Sequence, residues 1–212
     1  MDFLSSFAGF FQNGGPFMFI ILATGVVILA VSFERLWVIG RAASVNSGKH
    51  TRDVRRLVKH GDYNQANAQA RKVKGPVGEV AEAILSQTNV RDEEKLMNAA
   101  DGAATIALPR LSRRLPYLSM LANSATLLGL LGTIFGLTTA FAAVGAADPS
   151  QRSAFLAAGI SQALNTTAFG LIVAVPTLLI HGFLVSKVEA IVESVDEATV
   201  RIIRALNGGD AA

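Results

Sequence analysis

Two stretches of this chain, Tyr117 to Val144 and Ala157 to Val185, contain no Asp, Glu, Lys or Arg. Each exceeds the roughly 20 apolar residues that carry a helix across about 30 Å of hydrocarbon. A third apolar run starts at Pro16 and reads FMFIILATGVVILAVSF before the Glu34-Arg35 pair and Leu36, Trp37 and Val38. Inside a bilayer only the segment itself can satisfy its backbone N–H and C=O groups, so each run must be helical. Transmembrane helices are therefore predicted over 16–39, 116–144 and 157–185. Composition agrees, since 51% hydrophobic against 17% charged residues lies outside the balance of a soluble domain.

Charge placement orients the spans. Fourteen of the 19 Lys and Arg fall between Arg41 and Arg114, whereas the first 33 residues have none and the 145–156 connection has Arg152 alone. Basic loops stay in the cytoplasm, so 40–115 and the tail 186–212 are expected inside, with 1–15 and the 145–156 hairpin outside. Asp148-Pro149-Ser150 supplies the turn chemistry of that hairpin. The first run has neither a basic start nor a small-residue cleavage site, so a retained anchor is expected rather than a signal peptide.

The basic block has Tyr63 as its only aromatic ring and is flanked by apolar spans, which argues against a nucleic-acid partner. Instead it reads as helices punctuated at Ser47-Gly48, Gly61-Asp62 and Lys74-Gly75-Pro76, with Pro76 in a first turn. A longer helix is predicted from Asp92-Glu93-Glu94 toward Arg113 and Arg114, kinked at Pro109 and Pro116. In the tail, Val188, Ile191, Val192, Val195 and Ala198 share one face, with Glu189, Glu193, Asp196 and Glu197 elsewhere. That tail is expected to continue the third span, and the chain end from Gly208 to fray. The resulting class is an all-α integral membrane protein whose three spans extend into a helical cytoplasmic domain.

Small residues recur along the second span: Ala122, Thr126, Gly129, Thr133, Gly136 and Ala140 at helical spacing, with Gly132 and Gly136 forming a G-x-x-x-G step. Lipid tails compete equally for apolar contacts, so membrane helices associate by close backbone approach, and Gly129, Gly132, Gly136, Gly170 and Pro176 are candidate packing residues. The third span carries Gln162, Asn165, Thr166 and Thr167 close together. Each would cost about 2 kcal/mol or more if buried in hydrocarbon without a partner, so they must face other helices or water. Interhelical hydrogen bonding explains some of them. Their clustering, with Thr133 in mid-span, points to a hydrated ion path lined by Thr133, Gln162, Asn165, Thr166 and Thr167.

Neither of these spans offers a carboxylate, so proton relay would need a titrating group from a partner helix, while Na⁺ could use the neutral oxygens directly. Glu34-Arg35 reads as an ion pair at the end of the first span, and His181 as an interfacial histidine. His50 and His60 lack metal-ligand companions, and no Walker loop, dinucleotide fingerprint, zinc motif or nucleophile elbow is present. With no cysteine, disulfides and thiolate sites are excluded. No cofactor, metal or enzymatic turnover is expected.

GLLGTIFGLTTAF (Gly129 to Phe141) and GISQALNTTAFGLIVAVP (Gly159 to Pro176) resemble the paired signatures of the MotA/TolQ/ExbB proton-channel family, closest to ExbB and TolQ. The likeness extends to the three-span layout, Glu34-Arg35-Leu36, and the stretch from Gly61-Asp62 through Pro76. It implies a bacterial inner-membrane homopentamer whose second and third spans line a pore around single-span ExbD/TolR/MotB-like helices bearing an essential Asp. The periplasm would then receive the N-terminus and the hairpin. The family's pore threonines fall on Thr133 and Thr167, and ion flow would drive the partner in transport, envelope maintenance or motility. ExbB and TolQ usually place Glu five residues before the third-span threonine, where this chain has Gln162, so that coupling role does not transfer. A passive scaffold that anchors a partner complex is the competing expectation.

Overall fold

Apolar runs and charged segments sort into separate parts of the fold. The computed structural model describes residues 10–11, 14–44, 47–87 and 92–208, and among them there is no β-strand. The expected leading segment lies largely outside these residues, as does the chain end beyond Gly208. From Pro16 on, the described residues form eight helices in order: α1 (Pro16–Ala43), α2 (Ser47–Lys59), α3 (Tyr63–Lys72), α4 (Pro76–Leu85), α5 (Glu93–Ala107), α6 (Pro109–Ser112), α7 (Leu115–Ala146) and α8 (Arg152–Leu206). Three of them, α1, α7 and α8, are long and apolar enough to cross a membrane.

Two compact units result, the first holding the described residues up to Phe33 together with Pro116–Gly182, the second Glu34–Leu115 with the chain from Phe183 onward. In the first, three helical segments present Phe19, Leu29, Leu127, Ile134, Leu164 and Leu179 outward, each more than half exposed. An apolar exterior of this extent suits contact with lipid or other helices. Its interior is narrow, made of Met18, Ile21, Ala122, Ala125, Ala163, Phe169 and Ala174. Helix α1 begins after Gly15, whose φ of 72° is accessible to glycine without strain, and with Pro16 in the first turn.

The second unit packs short helices against the amphipathic end of α8. Val54 and Val58 of α2, Ala66 and Ala70 of α3, Val80, Ala81 and Ile84 of α4, and Leu96 and Ala100 of α5 form one core with Val195, Ala198, Ile202 and Ile203. Asp62 caps α3 by accepting from the Gln65 N–H at 3.2 Å, and Asp92 caps α5 by accepting from the Lys95 N–H at 3.3 Å. Helix α4 opens at Gly75, at a φ of 128°, with Pro76 next. The tail is helical to Leu206, with Ile191, Val195 and Ala198 buried and Glu189, Glu193, Asp196 and Glu197 exposed. Pro109 and Pro116 do more than kink the predicted long helix: α5 stops at Ala107 and α7 begins afresh at Leu115. Each proline removes a backbone donor, so the helical hydrogen-bond ladder is interrupted at Pro109 and again at Pro116.

Arg35 is the buried charge of this unit. Its Nη1 donates to the carbonyls of Arg110 at 3.3 Å and Leu111 at 3.4 Å, and its Nη2 meets Glu34 Oε1 at 2.5 Å. The other Glu34 oxygen accepts from Arg114 at 2.6 Å. One carboxylate thus serves two guanidinium groups, and the α6 turn is fixed by its own carbonyls.

His50 of α2 is also buried, with Nε2 lacking a hydrogen-bond partner. Burial lowers its pKa below the ordinary 6.5, and the nearby Asp53 charge opposes this only in part. The folded unit therefore favours the neutral ring, while the unfolded chain takes up a proton as pH falls through about 6.5. Stability is expected to be full above that range and to decline below it. Unfolding midpoints of the detergent-solubilised chain at pH 7.5 and 5.5 check this, the drop being smaller in His50→Leu than in the native chain.

Candidate functional site

The second and third spans run antiparallel, and the residues at their contact are small. A Cβ on Gly136 would stand 3.1 Å from the Ala163 nitrogen, one on Gly129 3.3 Å from the Thr167 Cα, and one on Gly170 2.8 Å from the Ala125 carbonyl oxygen. On Gly159 it would collide with the Ala140 methyl, and on Gly132 with Thr166 Cγ2. Four of the expected packing glycines thus lie in the contact. Pro176 instead lines an apolar groove of about 330 Å³ shared with α1, beside the buried Ser32 hydroxyl, which has no hydrogen-bond partner.

This closeness brings two hydroxyls together. Thr133 and Thr167 are hydrogen-bonded through their Oγ1 atoms. Thr167 Oγ1 also lies 3.0 Å from the Gly129 carbonyl oxygen, and Thr133 Oγ1 lies 3.2 Å from that oxygen and 3.3 Å from the Ala163 carbonyl. Helix i→i−4 geometry puts Thr133 over Gly129, and the missing side chain of Gly129 lets Thr167 reach the same carbonyl from the facing helix. Both threonines are only partly buried.

The remaining polar residues of the third span point elsewhere. Thr166, one position and about 100° from Thr167 on a helix, is buried, with Oγ1 at 2.6 Å from the Gly14 carbonyl oxygen and 2.9 Å from that of Gln162. The Gln162 amide packs where a Cβ on Gly15 would otherwise sit. Thr166 and Gln162 therefore face the turn that starts α1, not the threonine pair. Asn165 is half-buried and has no hydrogen-bond partner among the described residues. Sequence reasoning missed the Gly14-Gly15 turn as the partner of Thr166 and Gln162. It also named exposed Thr126 in the small stripe where Ala125 is the buried member, although Ala122, Ala125 and Gly129 follow helical spacing.

Among the described residues no group of His, Asp and Glu could hold a metal ion. What the fold and site define is a multi-pass helical membrane protein with a hydroxyl pair between two charge-free spans. Residues 72–197 match the MotA/TolQ/ExbB proton channel family, and the chain belongs to it. It is similar to an ExbB homologue, a biopolymer transport protein of Methanothermobacter thermautotrophicus, at 23% identity over 92% of this chain and 69% of that protein. A Tol-Pal system protein TolQ of Haemophilus influenzae is 31% identical over 57% of this chain and 56% of its own length. An ExbB-like biopolymer transport protein of Synechocystis is 31% identical over 83% and 69% respectively.

Two glycines separate the close contact from generic helix loss. Gly170→Ala drives a methyl onto the Ala125 carbonyl and should lower stability by about 1–3 kcal/mol. Gly182→Ala, with nothing within 4 Å of the added carbon, should be neutral or stabilising by up to about 1 kcal/mol. Thermal unfolding of both variants in detergent, with the native chain alongside, measures the contrast.

Proposed function

We propose that this chain is the ring-forming subunit of an ion-driven energy transducer in which Thr133 and Thr167 line the ion path. The observation that carries the reading is the hydroxyl pair, held on backbone carbonyls by two partly buried threonines, in spans without Asp, Glu, Lys or Arg. Such a site offers oxygens but no titrating group, so proton passage requires a carboxylate from a partner. Family membership supports an ExbD/TolR/MotB-like single-span partner, enclosed by several copies of this chain as a pentamer. The proposal includes Gln162, Asn165 and Thr166 in the same path, while Thr166 and Gln162 face Gly14 and Gly15.

The positive-inside distribution supports an inner-membrane protein with its N-terminus and hairpin in the periplasm and its polar helices and C-terminus in the cytoplasm. Movement of charge down the membrane potential supplies about 2.3 kcal/mol per charge per 100 mV, the source of work in this reading.

A second reading has its own support: the threonine hydroxyls are satisfied within the chain, as a passive clamp in a scaffold would require. Thr167→Val separates the two. With the partner co-reconstituted in liposomes under an imposed potential, the transducer reading expects proton or Na⁺ flux to fall at least tenfold, Thr167→Ser to restore it, and oligomer mass to stay unchanged. Subunit dissociation in detergent without a separate flux defect would favour the scaffold.

A further inference from the structure

Where α1 leaves the apolar unit, a second cavity opens within the polar one. It measures about 240 Å³ and is lined by Trp37, Arg41, Lys74, Pro76, Glu79 and Arg110, among others. We propose that this cavity holds the phosphate headgroup of an anionic membrane phospholipid.

Charge is the first argument. Three cationic side chains meet one carboxylate, and among the described residues Glu79 is engaged by Arg110 alone, at 3.4 Å between exposed side chains. Neither Arg41 nor Lys74 has an anionic partner among the described residues, so both are available to an incoming anion. Helix α4 opens at this cavity through Gly75 and Pro76 with no side-chain cap, adding the positive end of its dipole. Arginine forks and an ammonium group are the donors that suit phosphate oxygens.

Position is the second argument, and it selects a lipid over a soluble phosphate. Helix α1 has 28 residues, of which about 20 cross the hydrocarbon, so its end from Leu36 to Ala43 occupies the headgroup layer. Trp37 is 64% exposed, as expected of an indole seated among headgroups, and the Arg41 guanidinium lies 5.8 Å from its ring centroid. Arg110 stands in the α6 turn that Arg35 holds by the Arg110 and Leu111 carbonyls, five residues before the second span begins at Leu115. The cavity therefore has an aromatic and apolar rim beside its cations, which a phospholipid satisfies and a free anion does not.

Trp37 is the only tryptophan in the chain and reports on its own site. The full chain is reconstituted in phosphatidylcholine nanodiscs containing either brominated phosphatidylglycerol or brominated phosphatidylcholine, and quenching is measured as the brominated fraction rises. Selective quenching by phosphatidylglycerol is expected, with the preference falling about fivefold for each cation removed, the factor that corresponds to about 1 kcal/mol per basic residue. Lys74→Gln, which removes an exposed side chain with no ion pair, should lose one such step. Arg41→Gln/Lys74→Gln/Arg110→Gln should abolish the preference, and Arg56→Gln/Arg201→Gln/Arg204→Gln, equal in charge loss but outside the cavity lining, should keep it. Equal quenching by the two lipids in the native chain would overturn the proposal. So would an unchanged preference in Lys74→Gln, an equal loss in the control triple variant, or loss of the preference on adding about 10 mM inorganic phosphate at constant ionic strength.

Discussion

The approach of two backbones at Gly129 and Gly170 is the constraint on which the membrane part of this protein depends. Hydrocarbon gives no net hydrophobic drive for apolar helices to pair, so contact must come from close packing and the hydrogen bonds that it permits. Here the small residues on both helices bring the Gly129 carbonyl within reach of a hydroxyl on the facing helix. Any side chain at Gly129 or Gly170 would hold the helices apart and leave Thr167 to its own helix. Packing and chemistry are thus one feature: the residues that allow association also create the hydroxyl pair.

A different economy governs the polar unit. Its helices are too short to stand alone in water, and they are held by a shared core with the amphipathic end of α8. Caps at Asp62 and Asp92 set where two of them start, and two prolines set where α5 and α7 divide. The buried Arg35 adds a polar anchor, costly to leave unpaired and therefore matched by Glu34 and two carbonyls.

Much of this was legible in the sequence because the signals were physical and local. Charge-free runs longer than the bilayer is thick admit only helix, and the alternation of Val195 and Ala198 with Asp196 and Glu197 revealed the buried face of the tail. Thr133 and Thr167 were singled out by mid-span polarity and by family resemblance, and the structure brings them into contact. The division of Thr166 from Thr167 was not legible. Two adjacent threonines differ by about 100° of helix rotation, and which neighbour each meets depends on the Gly14-Gly15 turn, more than 150 positions away in the chain. The prolines were read as kinks because spacing alone does not show that Arg35 reinforces the break between them.

The threonine pair has a consequence for the sign of the ion that it can serve. Two hydroxyls supply one proton each, and their bonds to each other and to the Gly129 and Ala163 carbonyls use those protons up. With those protons committed, the remaining capacity of the pair is lone pairs, on hydroxyl and carbonyl oxygens together. If ions pass this site as proposed, so many acceptors and so few donors would suit a cation or a hydrated proton and give chloride nothing to bind. On the proposed reading, selection of charge sign would then come from hydrogen-bond stoichiometry, without any fixed charge on the two spans.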